Sequence, residues 1–339
     1  MTGPERDWWI YTGSGEPHDA VEHRLPEAPP WRTFAAAADD NDTASERRIG
    51  RHHLATAYQP DFNEIELINA ALYLRRPLLV TGKPGTGKST LAYSIAHELN
   101  LGPVLRWSIT SRSTLADGLY RYDAIGRLQA ANLNRTAAGG EDTNPTDIGS
   151  FIRLGPLGTA LLPGAKPRML LIDEIDKSDV DLPNDLLNAF EEGEFVIPEL
   201  ERVAGDGRPV EVRTGDRDGR ARIADGRVRC TAFPFVLLTS NGERDFPTAF
   251  LRRCVRLDLR TPNRERLIRI VEAHLGMVTD DVARRIDDFL ERQLDGRDRA
   301  TDQLLNALYL ASAGTGRTDP ERRDAIEALL RPLTDDDER

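Results

Sequence analysis

Short apolar runs alternate with helix-patterned stretches from about residue 51 to residue 262. They are "PLLVT" from Pro77, "PVLRWSI" from Pro103, "RMLLID" from Arg168, "PFVLLTS" from Pro234 and "CVRLDL" from Cys254. Continuous apolar runs separated by helices predict strands of a parallel sheet covered on both faces, an α/β architecture. Two segments break this rhythm. Residues 110–157 carry the Gly-, Thr- and Asn-rich "RTAAGGEDTNPTD", and within 197–232 the Asp-Gly of "RIADGRVR" stands between short alternating runs and predicts a β-hairpin. Both read as insertions into a simpler fold. Beyond 262 the period becomes helical. Leu267, Val271 and Leu275 form one stripe, Val282, Ile286, Phe289 and Leu290 a second, and Leu304, Leu305 and Leu308 a third. Asp319-Pro320 signals a fourth helix over Ile326, Leu329 and Leu330. A small all-helical domain over 263–335 is expected to follow an α/β domain over 51–262.

Residues 1–50 differ from both. Trp8, Trp9, Tyr11, Trp31 and Phe34 are scattered among Pro- and Gly-rich turns, which reads as an aromatic arm and linker. Its rings either pad the chain's own main domain or dock on a neighbouring subunit or partner. The 339 residues are 39% hydrophobic and 30% charged, the balance of an ordinary soluble protein with a sizeable core. No apolar run approaches the ~18 residues of a membrane span, and "MTGPERDWWIYTGSGEPHD" lacks the basic start and long apolar segment of a secretion signal, so a cytoplasmic protein with no membrane association is expected. The only cysteines, Cys230 and Cys254, sit in strand-like surroundings and read as buried thiols rather than as a disulfide framework or metal site. A net charge of −11 disfavours general affinity for nucleic acid.

Lysine occurs only at Lys83, Lys88, Lys166 and Lys177, and two of the four fall in one motif. "GKPGTGKST" comprises Gly82, Lys83, Pro84, Gly85, Thr86, Gly87, Lys88, Ser89 and Thr90, and lies between the strand "PLLVT" and the helix pattern "LAYSIAHEL". It satisfies G-x-x-x-x-G-K-[ST] in the strand–loop–helix setting that this chemistry needs. Glycines let backbone N–H groups turn inward around a triphosphate, the helix N-terminus adds partial positive charge, Lys88 reaches the terminal phosphates, and Ser89 ligates Mg²⁺. "RMLLIDEIDKS" then places Asp173 and Glu174 at a strand tip, where one carboxylate suits the metal and the other the attacking water. Asp176 and Lys177 either position Glu174, contact a neighbouring subunit or form a solvated turn. Asn241 ends a third strand at the same height, within reach of the same water or γ-phosphate. Arg252 and Arg253 lie about ten residues on, either as an exposed pair or as cations aimed at the nucleotide of an adjacent subunit, where such an arginine accelerates phosphoryl transfer by about 10³ to 10⁵.

This constellation resembles the AAA+ ATPases: Gly82 to Ser89 match Walker A, Asp173 and Glu174 Walker B, Asn241 sensor 1, and Arg252/Arg253 the arginine finger. The resemblance covers about 58–332 and implies a P-loop NTPase fold with a parallel five-stranded sheet sandwiched by helices and followed by a helical lid. "RLGPLGTALL" before Walker B, "DLLNAFEEGEF" after it, the insertion in helix 2 and the hairpin before sensor 1 look like the MoxR-like group. Membership would imply ATP and Mg²⁺ and a homo-oligomeric ring, often a hexamer, that remodels a protein client, frequently a von Willebrand factor A partner or a component of a bacterial conflict system. One departure concerns sensor 2, where the family's arginine aligns with Gln303 and Arg299 lies nearby. Arg112 and Arg153, flanking the helix-2 insertion, are either client contacts or solvated surface. Two other classes remain open: a nucleotide-gated assembly module with little turnover, and a nucleic-acid translocase.

Overall fold

A computed structural model describes residues 9–25, 58–137, 145–203, 208–275, 278–294 and 301–312 of the chain. Trp8, Trp31, Phe34, Arg299, the fourth helix over Ile326 to Leu330 and the acidic tail lie outside the described residues. Five of the apolar runs become the strands β1 (Leu78–Gly82), β2 (Leu105–Ser108), β5 (Met169–Asp173), β10 (Phe235–Ser240) and β11 (Val255–Leu259). They pair in the order β11-β1-β10-β5-β2, every pair parallel. Alternation of side chains across the pleat sends Leu78 and Val80 to one face and Leu79 to the other, which is why the inner strands must be apolar at every position. One face packs the helices Phe62–Leu74 and Lys88–Glu98; the other packs the helix Leu182–Glu192 and the inserted elements. Parallel pairing with Val80 level with Thr239, Leu238 with Ile172 and Ser108 with Asp173 brings the carboxyl ends of β1, β5 and β10 together. In open parallel sheets, ligands bind at these ends.

The two insertions share one structure. The segment 110–157 supplies β3 (Tyr120–Tyr122), the helix Ala124–Ala137 and β4 (Ile152–Leu154); the segment 197–232 supplies β7 (Val210–Arg213), β8 (Arg220–Ile223) and β9 (Arg227–Arg229). Strands β3-β4-β7-β8 form a second sheet, so residues far apart in sequence complete one element. The hairpin expected across Asp225-Gly226 is corrected by this arrangement. A hairpin does form in 197–232, but between β7 and β8; on either side of Asp225-Gly226 the chain diverges, β8 to β7 and β9 to β6 (Glu194–Val196). The reason is local: Gly226 packs on the backbone of Glu201, the last residue of the helix Pro198–Glu201, and its carbonyl accepts the Ile197 N–H at 2.7 Å, which draws β9 to β6.

The amino-terminal segment is part of the main core. Trp9, Ile10 and Tyr11 are buried against the helices Phe62–Leu74 and Lys88–Glu98. Asn69 accepts the N–H groups of Ile10 and Tyr11 at 2.7 and 3.0 Å and donates to the Tyr11 carbonyl at 2.8 Å. The fully buried carboxylate of Glu98 accepts from the N–H groups of Thr12, Gly13 and Gly15 at 2.5, 3.0 and 3.1 Å. A buried charge persists only when hydrogen-bonded in this way. Cys230 and Cys254 are free and buried, and burial pushes both thiols up to about 12. Beyond β11, the helices Arg264–Leu275, Asp280–Leu294 and Thr301–Ser312 close around Leu267, Val271, Ile286, Phe289, Leu304 and Leu308. Among the described residues, no helix is long and apolar enough to cross a membrane.

Candidate functional site

The loop from Gly82 turns tightly back on the sheet before the helix Lys88–Glu98 begins. Gly82 has φ +149, and a Cβ there would stand 2.6 Å from the Leu259 carbonyl oxygen, so no other residue fits without moving β11. Gly87 precedes the helix with φ +89, a conformation that strains any residue with a side chain, and the ring of Tyr58 lies 3.2 Å from where a Cβ would stand. Lys88 turns its ammonium onto the loop itself, donating to the carbonyls of Gly82 and Lys83 at 2.7 and 2.9 Å. Burial pulls its pKa below the usual lysine range, with the carboxylates of Asp176, Asp173 and Glu174 working against that pull.

Asp173, at the end of β5, is the hub. Its Oδ1 accepts the hydroxyls of Ser89 and Thr239, each at 2.7 Å, and its Oδ2 accepts Arg106 Nη2 at 2.5 Å. Burial alone would push the carboxyl up; the hydrogen bonds from Thr239, Ser89 and Arg106 and the arginine charge outweigh it and hold the group below its ordinary range. Glu174 follows in a left-handed conformation, φ 62, its N–H given to the Thr239 hydroxyl at 2.8 Å. Such a conformation costs of order 1–3 kcal/mol for a residue with a side chain and persists when neighbours over-determine it. Its carboxylate meets the Lys177 ammonium at 2.9 Å. Asp176 is buried, and its Oδ2 accepts the N–H groups of Asn241 and Glu243 at 2.8 and 3.2 Å and so fixes the loop that carries the Asn241 amide.

A pocket of about 470 Å³ collects these groups. Pro84 to Thr90, Asp173, Glu174 and Asn241 line it; Gly82 and Lys83 form the loop's base. Four contributors were not evident in the sequence. Arg106 and Thr239 enter from β2 and β10; their positions alternate inside ordinary strands, and only the sheet order reveals them as neighbours of Asp173. Tyr58 and Arg266 enclose the other end: Arg266 pairs with buried Glu64 through two nitrogens at 2.6 and 3.1 Å and stacks 5.3 Å over the Tyr58 ring, whose hydroxyl also donates to Glu64 at 2.9 Å. Arg266 opens the first helix beyond β11, so this ion pair ties the helical segment to the sheet domain. From the third of these helices, Thr301 and Leu305 face the pocket, while Gln303 is not among its lining residues.

Arg252 and Arg253 lie elsewhere. They end the helix Thr248–Arg253, immediately before β11, whose first residue, Val255, is level with Leu78. The Arg252 carbonyl accepts Arg76 Nη1, and Arg253 pairs with Glu191. The phosphate loop starts at the opposite end of β1, four residues away, which at ~3.3 Å per residue is about 13 Å. Arg252 is exposed and neither arginine lines the pocket.

A family model described as AAA domain (dynein-related subfamily) matches residues 77–253, more than half the chain, and spans the loop, both carboxylates, Asn241 and both arginines. The chain belongs to this AAA family. Its fold is accordingly the AAA+ P-loop NTPase fold, whose five parallel strands were described above. Among solved structures the chain is similar to domain III of the replication initiation protein DnaA from Thermotoga maritima, at 13% identity over 84% of this chain and 100% of that one, with a TM-score of 0.41. No protein of curated function matches it.

Proposed function

We propose that this AAA-family chain is a Mg²⁺-dependent ATPase of the MoxR-like kind, which works in the cytoplasm as a homo-oligomeric ring and remodels a protein client. The observation that carries the reading is the 2.7 Å bond from Ser89 at the phosphate loop to Asp173 on the neighbouring strand, with Glu174 next in the chain. Ser89 and Asp173 are oxygen donors that fit Mg²⁺, and among the described residues no group of three or more His, Cys, Asp or Glu could hold a metal without help. A two-residue site fits an ion that takes its remaining oxygens from phosphates and water. Bound there, Mg²⁺ neutralises charge on the terminal phosphates.

The chain's own groups divide the remaining work. Lys88 exchanges its two loop carbonyls for phosphate oxygens, and inward N–H groups of Gly85 to Ser89 cradle the triphosphate. Glu174, released from Lys177, orients the attacking water, and Asn241, held through its backbone by Asp176, meets the same water or the γ-phosphate. Arg252 or Arg253, about a strand's length from the loop of its own subunit, serves the site of the next. The second sheet, made from both insertions, supports the MoxR-like assignment and a client-facing role, for which a von Willebrand factor A domain protein is a suitable partner.

A second reading, a nucleotide-gated assembly module with little turnover, is favoured by the pairing of Glu174 with Lys177 and of Asp173 with Arg106, which occupies both carboxylates. Steady-state ATP turnover with Mg²⁺, beside nucleotide binding, separates the two. Wild-type protein is expected to turn over ATP, Glu174→Gln to bind ATP but turn over at least 100-fold more slowly, and Lys88→Ala to lose binding. Tight binding without turnover in the wild type would establish the gated module instead, and no binding at all would overturn both.

A further inference from the structure

The second sheet carries a charge pattern that its fold does not require. Arg121 stands opposite Arg153 across the antiparallel β3–β4 pair, Arg153 is level with Arg213 across the parallel β4–β7 pair, and Arg213 stands opposite Arg220 across the antiparallel β7–β8 pair. Four arginines thus form one row across four adjacent strands, and all four are exposed. Arg222 lies two residues beyond Arg220 on the same face, also exposed, while the alternate positions Ile152, Leu154, Val212 and Ile223 are buried beneath. Like charges directly opposite one another destabilise a sheet, and here the juxtaposition recurs at every strand boundary.

Compensation within the chain is partial. Arg121 approaches Asp117 at 3.6 Å and Arg220 pairs with Glu211 at 2.7 Å, whereas Arg153 donates to the Thr214 carbonyl at 3.3 Å. Arg222 stands opposite Glu211, whose carboxylate pairs with Arg220, and no ion pair of Arg213 is seen among the described residues. A groove of about 410 Å³, lined by Arg121, Arg153 and Arg213 together with Tyr122, Asp123 and Phe151, runs over three of the row's four arginines. In a chain of net charge −11, so concentrated a positive field selects an acidic partner and orients it.

We propose that this row is a docking surface for an acidic helix of a partner protein. Neighbouring strands lie ~4.8 Å apart, so four guanidinium stems span about 14 Å. A helix repeats one face every ~5.4 Å, so successive turns bearing Asp or Glu set carboxylates against successive arginines. Nucleic acid fits less well: the outward positions of these strands hold arginine and glutamate, the groove's two rings, Tyr122 and Phe151, are half-buried, and the carboxylates of Asp123 and Glu211 stand beside the row. The surface is separate from the phosphate loop, and the proposal does not depend on nucleotide turnover.

The test is fluorescence anisotropy with the full chain, without nucleotide, and three labelled probes. These are an alanine-rich helical peptide with glutamate at each turn of one face, its lysine counterpart, and a single-stranded oligonucleotide of similar length. The glutamate peptide is expected to bind in low salt and weaken as salt rises; the lysine peptide is expected not to bind. Arg153→Ala with Arg213→Ala is expected to weaken glutamate-peptide binding at least tenfold while melting no lower than wild type, because repulsion is relieved. Arg153→Lys with Arg213→Lys, which keeps the charge, is expected to retain binding and provides a second variant if the alanine pair folds poorly. Failure of the glutamate peptide to bind in low salt, equal binding by the alanine pair, or tighter arginine-dependent binding of the oligonucleotide would each overturn the proposal.

Discussion

Asp173 collects three donors from three elements: Ser89 from the helix after the phosphate loop, Thr239 from β10 and Arg106 from β2. The two hydroxyls share Oδ1 and the guanidinium takes Oδ2, an oxygen that would otherwise be open to help hold Mg²⁺ under the proposed function. Under that reading Arg106 would be a resident cation where the ion's charge is needed. Its side chain is 42% exposed, so solvent screens the pair and its net worth is modest, ~0.5 to 1 kcal/mol. Replacing Arg106 by alanine is expected to lower the Mg²⁺ concentration that half-saturates ATP turnover by about two- to fivefold, as relief of such a competitor would. A magnesium titration of turnover checks this, and a raised requirement would make Arg106 a helper of metal binding rather than its rival. The motif residues were legible in the sequence because their spacing encodes their chemistry. Arg106 was not, because one arginine in an alternating strand looks like any solvated position until β2 is known to lie beside β5.

At the scale of elements, residues 9–25 add a polar attachment to the picture of an arm whose rings pad the domain. Trp9 and Tyr11 do bury, but the attachment is also polar: the Glu98 carboxylate, at the last position of the helix that follows the phosphate loop, gathers three backbone N–H groups and the Thr12 hydroxyl. Glu98→Ala leaves those donors without their acceptor, and with charge-assisted bonds worth ~1.5–3 kcal/mol each and water replacing part of the loss, a destabilisation of about 2–4 kcal/mol is expected. Denaturant unfolding followed by tryptophan fluorescence measures it; a change under ~0.5 kcal/mol would show that the strap is dispensable. Nothing in the sequence marks Glu98 as buried, since a glutamate near a helix end ordinarily faces water. The central strands were legible because burial on both faces forces unbroken apolar runs. The second sheet was not, because its strands are three or four residues long and pair across about 60 positions of sequence, as Arg153 with Arg213 does. The Asp225-Gly226 turn misled for the same reason: turn chemistry fixes a change of direction, while tertiary packing decides which strands pair.

For the whole molecule, the proposed function has topology leave the site incomplete within one subunit. Parallel strands gather the loop, Asp173, Glu174 and Asn241 at one edge of the sheet, and the same strand direction leaves Arg252 and Arg253 at the opposite end of β11. In one chain no small side-chain movement spans about 13 Å; between neighbours in the proposed ring the two ends would meet. The Arg266–Glu64 pair ties the helical segment to the sheet domain beside the pocket, so nucleotide between them would bear on their relative position.

The most direct measurement mixes two inactive proteins. Glu174→Gln keeps its arginines and Arg253→Ala keeps its catalytic carboxylate, each alone is expected to turn over ATP at least 100-fold more slowly than wild type, and together they can assemble sites in which one supplies the pocket and the other the guanidinium. An equal mixture is expected to recover ATP turnover well above the sum of its parts and to lose it on dilution, as wild type does. A mixture that stays inactive while wild type keeps the same turnover per subunit at every dilution would contradict a shared site.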